Sequence, residues 1–452
     1  MINYIKSNGK FPSYTEALHL FDLSNQTTYS SVRWINGDIS KERVVYIDIT
    51  QFVKQGFKTG IQRVVSSFTQ YAPNCKFIFF TSGYYHEFIE FDLHRLQKRS
   101  NFISRVEKVY KFFYRLTFSK NLKKSSRGLR DLLFSSLYLG VKKIDIDDLL
   151  SSNLFIPDLP SERTHLEAIL CLGSFTNVNL SVFVHDLIPI THPELMPENS
   201  TNEFNLYAKI LLTADKIFCA SNYVKTTYLG YRQMHGEFKG KQRIYVRPFP
   251  QFLQNERNKF QVVSKKFLKS LGNTQYILAV GTIFPRKNLS LLVRALKILE
   301  NNNVQCNLVV LAHSNWSDRG FDLACQSLSS NKVLIYYHSN DAELIYAYQN
   351  SLALGFPSLA EGFGLPVIES LSYDKITIVN NIEPMKSLSS SKNLRRVDNR
   401  AVAWAREITR IIEIKMKPIR SEPKKGKNTG TKNLLKLEEQ KWVQDLFTLI
   451  LN

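Results

Sequence analysis

The chain is 452 residues long, 44% hydrophobic and 22% charged, which excludes a largely disordered protein and exceeds what one core organises, so two domains of about 200 residues are expected. The formal net charge of +21 is concentrated: residues 95–143 carry fourteen Lys/Arg against two acids, and residues 415–436 carry eight against one. The remainder is close to neutral, a distribution that points to a local anionic partner.

No stretch of eighteen apolar residues occurs, so no membrane-spanning helix is expected. The start, MINYIKSNGKFPSYTEAL, lacks the charged-then-apolar pattern of a signal peptide. Five scattered cysteines, Cys75, Cys171, Cys219, Cys306 and Cys325, form no C-x-x-C pair. They suggest a reducing cytosol, with neither a disulfide framework nor a zinc site.

In chain order, "RVVYIDIT" (43–50) reads as a buried first strand, followed by the loop "QFVKQGFKTG" and a helix from "IQRVVSSFTQYA". Further strands are expected at "KFIFFTSG" (76–83), "LSVFVHDLIPI" (180–190), "DKIFCAS" (215–221) and "IYVRPFP" (244–250). A polar stretch from Pro250 to about Asn273 reads as a linker. A second series follows: strand "YILAVGTI" (276–283), an amphipathic helix begun near Asn288, and strands "CNLVVLAH" (306–313) and "KVLIYYH" (332–338). Then come helix "DAELIYAYQNS", strand "LALGFPS", a loop and helix, strand "ITIVNN" (376–381), and a closing amphipathic helix in "NLLKLEEQKWVQDLFTLILN". Apolar runs alternating with helical patterns make this an α/β chain of two doubly wound domains facing a cleft, in which ligands bind at the carboxyl ends of strands.

Three strand ends carry chemistry. "AEGFGLPVIES" (360–370) places Glu361 and Glu369 eight positions apart around Gly362-Phe363-Gly364, with Leu365-Pro366 opening a helix. The carboxylates either favour a helix N-terminus or hold hydroxyl groups, while the glycines permit backbone to approach a ligand. "GTIFPRKN" (281–288) offers Arg286 and Lys287 at the expected start of the next helix, a pair suited to a diphosphate or simply to a solvated turn. "VHDLIPITHPE" (184–194) puts His185 and Asp186 at a strand end, as an acid/base, a hydroxyl contact or a structural histidine. "KTGIQRVV" (58–65) opens a helix with Gly60. No Asp-x-Asp follows a strand in the second half, so nothing requires a metal.

The order and form of "TGIQRVV", "VHDLIPITHPE", "VGTIFPRKNLSLLVRAL", "DAELIYAY" and "PSLAEGFGLPVIES" resemble the retaining GT-B glycosyltransferases of family 4 (glycosyl transferases group 1). The resemblance covers roughly 43–70 and 150–385. It implies a GT-B fold of two Rossmann-like domains: an acceptor-side domain over 1–255 with a basic amphipathic insertion at about 95–143, a nucleotide-sugar-binding domain over 256–435, and a helix over 436–452 packing back on the first domain. It also implies site roles. Lys287 and Arg286 would neutralise the nucleotide diphosphate, and Glu361 would accept from donor-sugar hydroxyls. The backbone of Gly362, Phe363 and Gly364, with Leu365, would approach sugar and phosphate. Glu369 would hold the ribose, Gly60 would lie near the diphosphate or the acceptor, and His185 near the reacting sugar.

Two departures stand out: Gly281-Thr282 where members often have Gly-Arg, and "SYDK" (Ser372–Lys375) where a small-residue run with glycine is usual. The implied activity is transfer of a hexose, mannose for preference and GDP-mannose as donor, to a lipid-linked glycan in lipopolysaccharide O-antigen or capsule assembly. No metal or other cofactor is expected. A sugar-nucleotide epimerase and a non-catalytic nucleotide-sugar-binding scaffold are the alternatives. In residues 101–118, apolar positions at helical spacing oppose Arg105, Lys108, Lys111 and Arg115. Such a segment suits either an anionic membrane surface, hence a peripheral protein on the inner face of the plasma membrane, or a helix packed on the first domain with its basic face in water. No nucleic-acid motif is present.

Overall fold

The computed structural model describes residues 44–55, 60–81, 87–91, 144, 146–174, 178–197, 200–235, 242–250, 262–272, 274–312, 318–416 and 428–452. The basic insertion at 95–143 and the side chains of 415–436 lie outside them.

The first sheet contains β1 (Val45–Asp48), β2 (Cys75–Thr81), β3 (Glu87–Phe91), β4 (Asn153–Ile156), β5 (Asn179–Val184), β6 (Lys216–Cys219) and β7 (Arg243–Val246). Its order is β3-β2-β1-β4-β5-β6-β7, parallel throughout except for β3, which runs antiparallel to β2 at the edge. The helices of this half are α1 (Thr50–Gln55), α2 (Gly60–Tyr71), α3 (Ile146–Leu150), α4 (Arg163–Gly173), α5 (Ile188–Thr191), α6 (Ser200–Thr213) and α7 (Asn222–His235). Strands β1 and β4 are buried at every position, the signature of parallel strands covered on both faces.

The second sheet contains β8 (Tyr276–Val280), β9 (Asn307–Ala312), β10 (Val333–Tyr337), β11 (Ala353–Phe356), β12 (Ile376–Asn380) and β13 (Leu394–Val397), in the order β10-β9-β8-β11-β12-β13 and all parallel. Its helices are α8 (Lys265–Leu271), α9 (Leu289–Asn301), α10 (Arg319–Gln326), α11 (Asp341–Asn350), α12 (Leu365–Ser372) and α13 (Ala401–Met416). Leu289, Leu292, Val293, Leu296 and Leu299 form the buried stripe of α9, packed with Trp404, Ile408 and Ile411 of α13.

In both sheets the strand order reverses beside the first strand. The crevices therefore open between β1 and β4 in the first domain and between β8 and β11 in the second. Strands β3, β4 and β13 are additions to the sequence reading.

The last helix, α14 (Asn428–Leu451), returns to the first domain. Val443, Leu446, Phe447 and Ile450 recur at i, i+3, i+4 and i+7 and are buried with Val45, Ile47, Phe155 and Phe183. Each such side chain contributes roughly 1.5–3 kcal/mol on burial. The buried ammonium of Lys216, on β6, donates to the carbonyl of Ile450 at 2.7 Å, a cation placed where the helix dipole is negative.

Candidate active site

The crevice of the second domain is lined by the chain after β8 and after β11, and this is where Arg286, Lys287 and Glu361 meet. The two cations do not open the helix, as the sequence suggested. They form a short 3-10 turn, Pro285–Lys287, that ends at Asn288 in the left-handed region (φ 51°), and α9 begins one residue later. Asn288 explains the break: its side-chain amide donates to Asn399 Oδ1 at 2.8 Å and to the Pro357 carbonyl at 3.2 Å. The turn is thereby tied to the end of β11, and Leu359 N donates to Arg286 O at 2.8 Å.

Glu361 Oε1 accepts from Lys287 Nζ at 2.5 Å and faces Arg286 Nη1 at 3.0 Å. Arg286 Nη1 also donates to the carbonyl of Ala360 at 2.9 Å, and Lys287 Nζ stands 4.8 Å from the centre of the Phe356 ring. Burial pushes the Glu361 carboxyl up, but Lys287 and Arg286 together outweigh it and hold the group down at about 2. Burial is likewise the largest influence on Asp186, pushing it up against the pull of Arg286. The cluster therefore has two cations, one firmly ionised acid and one acid that burial disfavours as an anion. Such a site offers positive charge to an anion and carboxylate oxygen to hydroxyl groups.

Glu369 is not in this cluster. It sits on α12, 3% exposed, with Oε1 accepting from Arg63 Nη1 at 2.7 Å and Oε2 from Tyr348 Oη at 2.9 Å. Arg63 belongs to α2 of the first domain, and its Nη2 donates to Asp341 Oδ1 at 2.9 Å. Sequence reading missed Arg63, Asp341 and Tyr348. Arg63 lies inside the quoted "TGIQRVV", three residues after Gly60, which opens α2.

The domains meet at the glycine loop. A Cβ on Gly362 would fall 2.0 Å from the carbonyl oxygen of His185, so only glycine admits this approach. Ser221 Oγ donates to the Gly362 carbonyl at 2.7 Å. Gly364 caps α12 with φ 96°. Phe363 packs edge-on against Phe249 at 5.2 Å, and Leu365 packs against the same first-domain cluster.

His185 presents its backbone to this loop, while its ring is engaged elsewhere. Nε2 donates to the Pro157 carbonyl at 2.8 Å, and the ring stacks on Phe249 at 5.6 Å. Burial pushes its pKa down to about 4, so the imidazole is neutral at physiological pH. The unusual "SYDK" stretch is accommodated: Tyr373 stacks on Tyr348 at 5.8 Å, and Asp374 takes φ 54° while accepting from Asn393 Nδ2 at 2.6 Å. Among the described residues no group of three or more His, Cys, Asp or Glu could hold a metal ion, the five cysteines are free thiols, and no helix is long and apolar enough to cross a membrane.

The architecture is α/β of the GT-B type. The chain superposes on an α,α-trehalose-phosphate synthase (UDP-forming) from Burkholderia vietnamiensis with a TM-score of 0.53 at 11% identity, covering 91% of this chain and 98% of that one. It also superposes on the sucrose-phosphate synthase of Thermosynechococcus elongatus with a TM-score of 0.51 at 13% identity, covering 90% and 96%. More specifically, residues 263–429 match the family model Glycosyl transferases group 1, so the crevice with Arg286, Lys287, Glu361 and Glu369 lies in a glycosyltransferase domain. The chain is 27% identical over 264 residues to the serotype-specific mannosyltransferase WbdA of Escherichia coli, an alignment covering 54% of this chain and 30% of WbdA. It is 24% identical over 205 residues to the O-antigen chain mannosyltransferase RfbU of Salmonella typhimurium, covering 45% and 52%. The alignments thus span about a third to a half of these relatives.

Proposed function

We propose that this protein is a retaining hexosyltransferase that moves mannose from a nucleotide-sugar donor, GDP-mannose in particular, to a lipid-linked glycan in O-antigen or related surface-polysaccharide assembly. The observation that carries the reading is the Arg286–Lys287–Glu361 cluster in the crevice between β8 and β11, inside a glycosyl transferases group 1 domain. The mannosyltransferase names of WbdA and RfbU favour the sugar.

In this scheme Arg286 and Lys287 exchange part of their hold on Glu361 for the donor diphosphate. Arg286 supplies planar paired donors and Lys287 a point charge. Glu361, kept ionised, accepts from the donor-sugar hydroxyls, and Glu369 from those of the ribose. Gly60 at the start of α2 would lie near the diphosphate or the acceptor, and His185 near the reacting sugar. The bond from the anomeric carbon to the phosphate oxygen breaks as the acceptor oxygen attacks from the same face. The acceptor proton passes to the departing phosphate oxygen. The leaving charge is stabilised by the two cations without a call on a metal.

The test is donor hydrolysis and transfer by purified protein across a panel of nucleotide sugars, with Glu361→Ala and Lys287→Ala alongside. Each variant is expected to lose about a hundredfold or more of turnover, with folding checked by circular dichroism. A wild type inert on the whole panel would leave the scaffold reading in its place. For the membrane, the protein is expected to sediment with anionic liposomes, and charge reversal of several cations in 98–124 is expected to abolish this. Binding unchanged by those reversals sinks the surface assignment.

A further inference from the structure

Helix α2 of the first domain sends one guanidinium across the cleft and divides it between two carboxylates of the second. Arg63 Nη1 reaches Glu369 and Nη2 reaches Asp341, at 2.7 and 2.9 Å. The other Glu369 oxygen is held by Tyr348, and Tyr348 is backed by Tyr373. Arg63 and Tyr348 each use one direction on a different carboxylate oxygen, and a carboxylate offers about four acceptor directions in all. One direction per oxygen therefore remains, which matches the two hydroxyls of a vicinal diol.

Those hydroxyls bind well only to an ionised carboxylate. A carboxyl as deeply buried as Glu369 resists ionisation. On balance its pKa stands raised: burial, the largest influence, and Asp341 push it up, and Arg63, aided by Tyr348, pulls the other way without cancelling them. Arg63, Tyr348, Asp341 and Tyr373 are the titratable groups around it.

We propose that Arg63 is a positioning residue of the donor site, reaching from the first domain to orient Glu369 as an acceptor for the ribose diol. This rests on the assignment of Glu369 to the ribose. Its consequence is that ribose recognition depends on domain apposition, because withdrawal of α2 removes both the donor that orients Glu369 and the charge that most opposes its protonation.

The experiment measures binding of GDP and UDP, and of their 2′,3′-dideoxy analogues, to wild type, Arg63→Met and Arg63→Lys by calorimetry from pH 6 to 8.5. Wild type is expected to prefer the ribose form by about tenfold to a hundredfold, the worth of hydrogen bonds to a charged group. Arg63→Met is expected to lose most of that preference, and the ratio of wild-type to variant affinity should grow as pH falls. Comparing the proteins at each pH cancels titration of the nucleotide itself. Arg63→Lys keeps the charge and is expected to retain discrimination between the two extremes, which serves if the methionine variant folds poorly. Equal losses for ribose and dideoxy ligands, or a pH-independent ratio, would make Arg63 a mere strut and overturn the proposal while leaving the transferase assignment standing. A wild type that binds neither GDP nor UDP takes both down.

Discussion

Asp158, at the carboxyl end of β4, holds one of the less comfortable charges in the first domain. Its Oδ1 accepts from Leu159 N at 2.8 Å, its Oδ2 is buried without a partner, and it is 7% exposed. Burial, the main cause, and the nearby Asp48 charge push its pKa up to about 7. A carboxyl raised in the folded state stabilises below its unfolded pKa of about 3.9, and that stability is lost as pH rises through 7. The loss amounts to about 4 kcal/mol between pH 4 and 8. Asp158→Asn removes this dependence, so denaturation curves at pH 5 and pH 8 should show the variant gaining on wild type as pH rises. A difference that stays constant over that interval would refute it. Arg63 belongs to the same scale and was illegible in sequence for a plain reason. A lone arginine in the first turn of an amphipathic helix reads as a solvated position, and its partners lie 278 and 306 residues away. Arg286, Lys287 and Glu361 were legible in sequence only as charged residues after strand ends; the resemblance to group 1 glycosyltransferases drew them into one site, and the structure brings the three side chains together.

Among elements, the loop 360–364 and α2 set the approach of the two domains. Gly362→Ala places a methyl group 2.0 Å from a backbone oxygen that cannot swing aside, so the domains must part by roughly an ångström. Displacement on that scale costs about a hundredfold in rate, to be read as turnover lost with each domain still folded. Gly230→Ala on α7 is the matched control, since nothing lies within 4 Å of its Cβ. It is expected to leave turnover intact and to raise stability by about 0.5–1 kcal/mol. The strands missed in sequence share a physical cause. "NLFI" of β4 is four residues with no alternation to betray a period, and "LRRV" of β13 borders its sheet with two arginines that read as loop. Helix α14, by contrast, was legible because its apolar positions keep helical spacing.

At the scale of the whole molecule, α14 braces the helix that carries Arg63. Ser67 Oγ of α2 lies within hydrogen-bond reach of both Glu439 of α14 and the Arg63 carbonyl, with one proton to give to either, and Phe68 packs on Trp442 at 5.6 Å. Deleting residues 437–452 would strip Val443, Leu446, Phe447 and Ile450 from the first core. It is expected to cost several kcal/mol, visible as a lowered melting temperature together with weakened nucleotide binding. Retained affinity in a folded deletion variant would show that α2 needs no brace.

The return of α14 also fixes how the two halves can move. Because the last helix belongs to the first domain, the backbone crosses between domains twice, once on the way out after β7 and once on the way back after α13. A body held by a single tether can twist and tumble freely. One held by two is restrained toward rotation about the line through both attachments. Two crossings leave α2 fewer ways to part from the second domain than one would, and so favour the arrangement in which Arg63 meets Glu369 and Asp341.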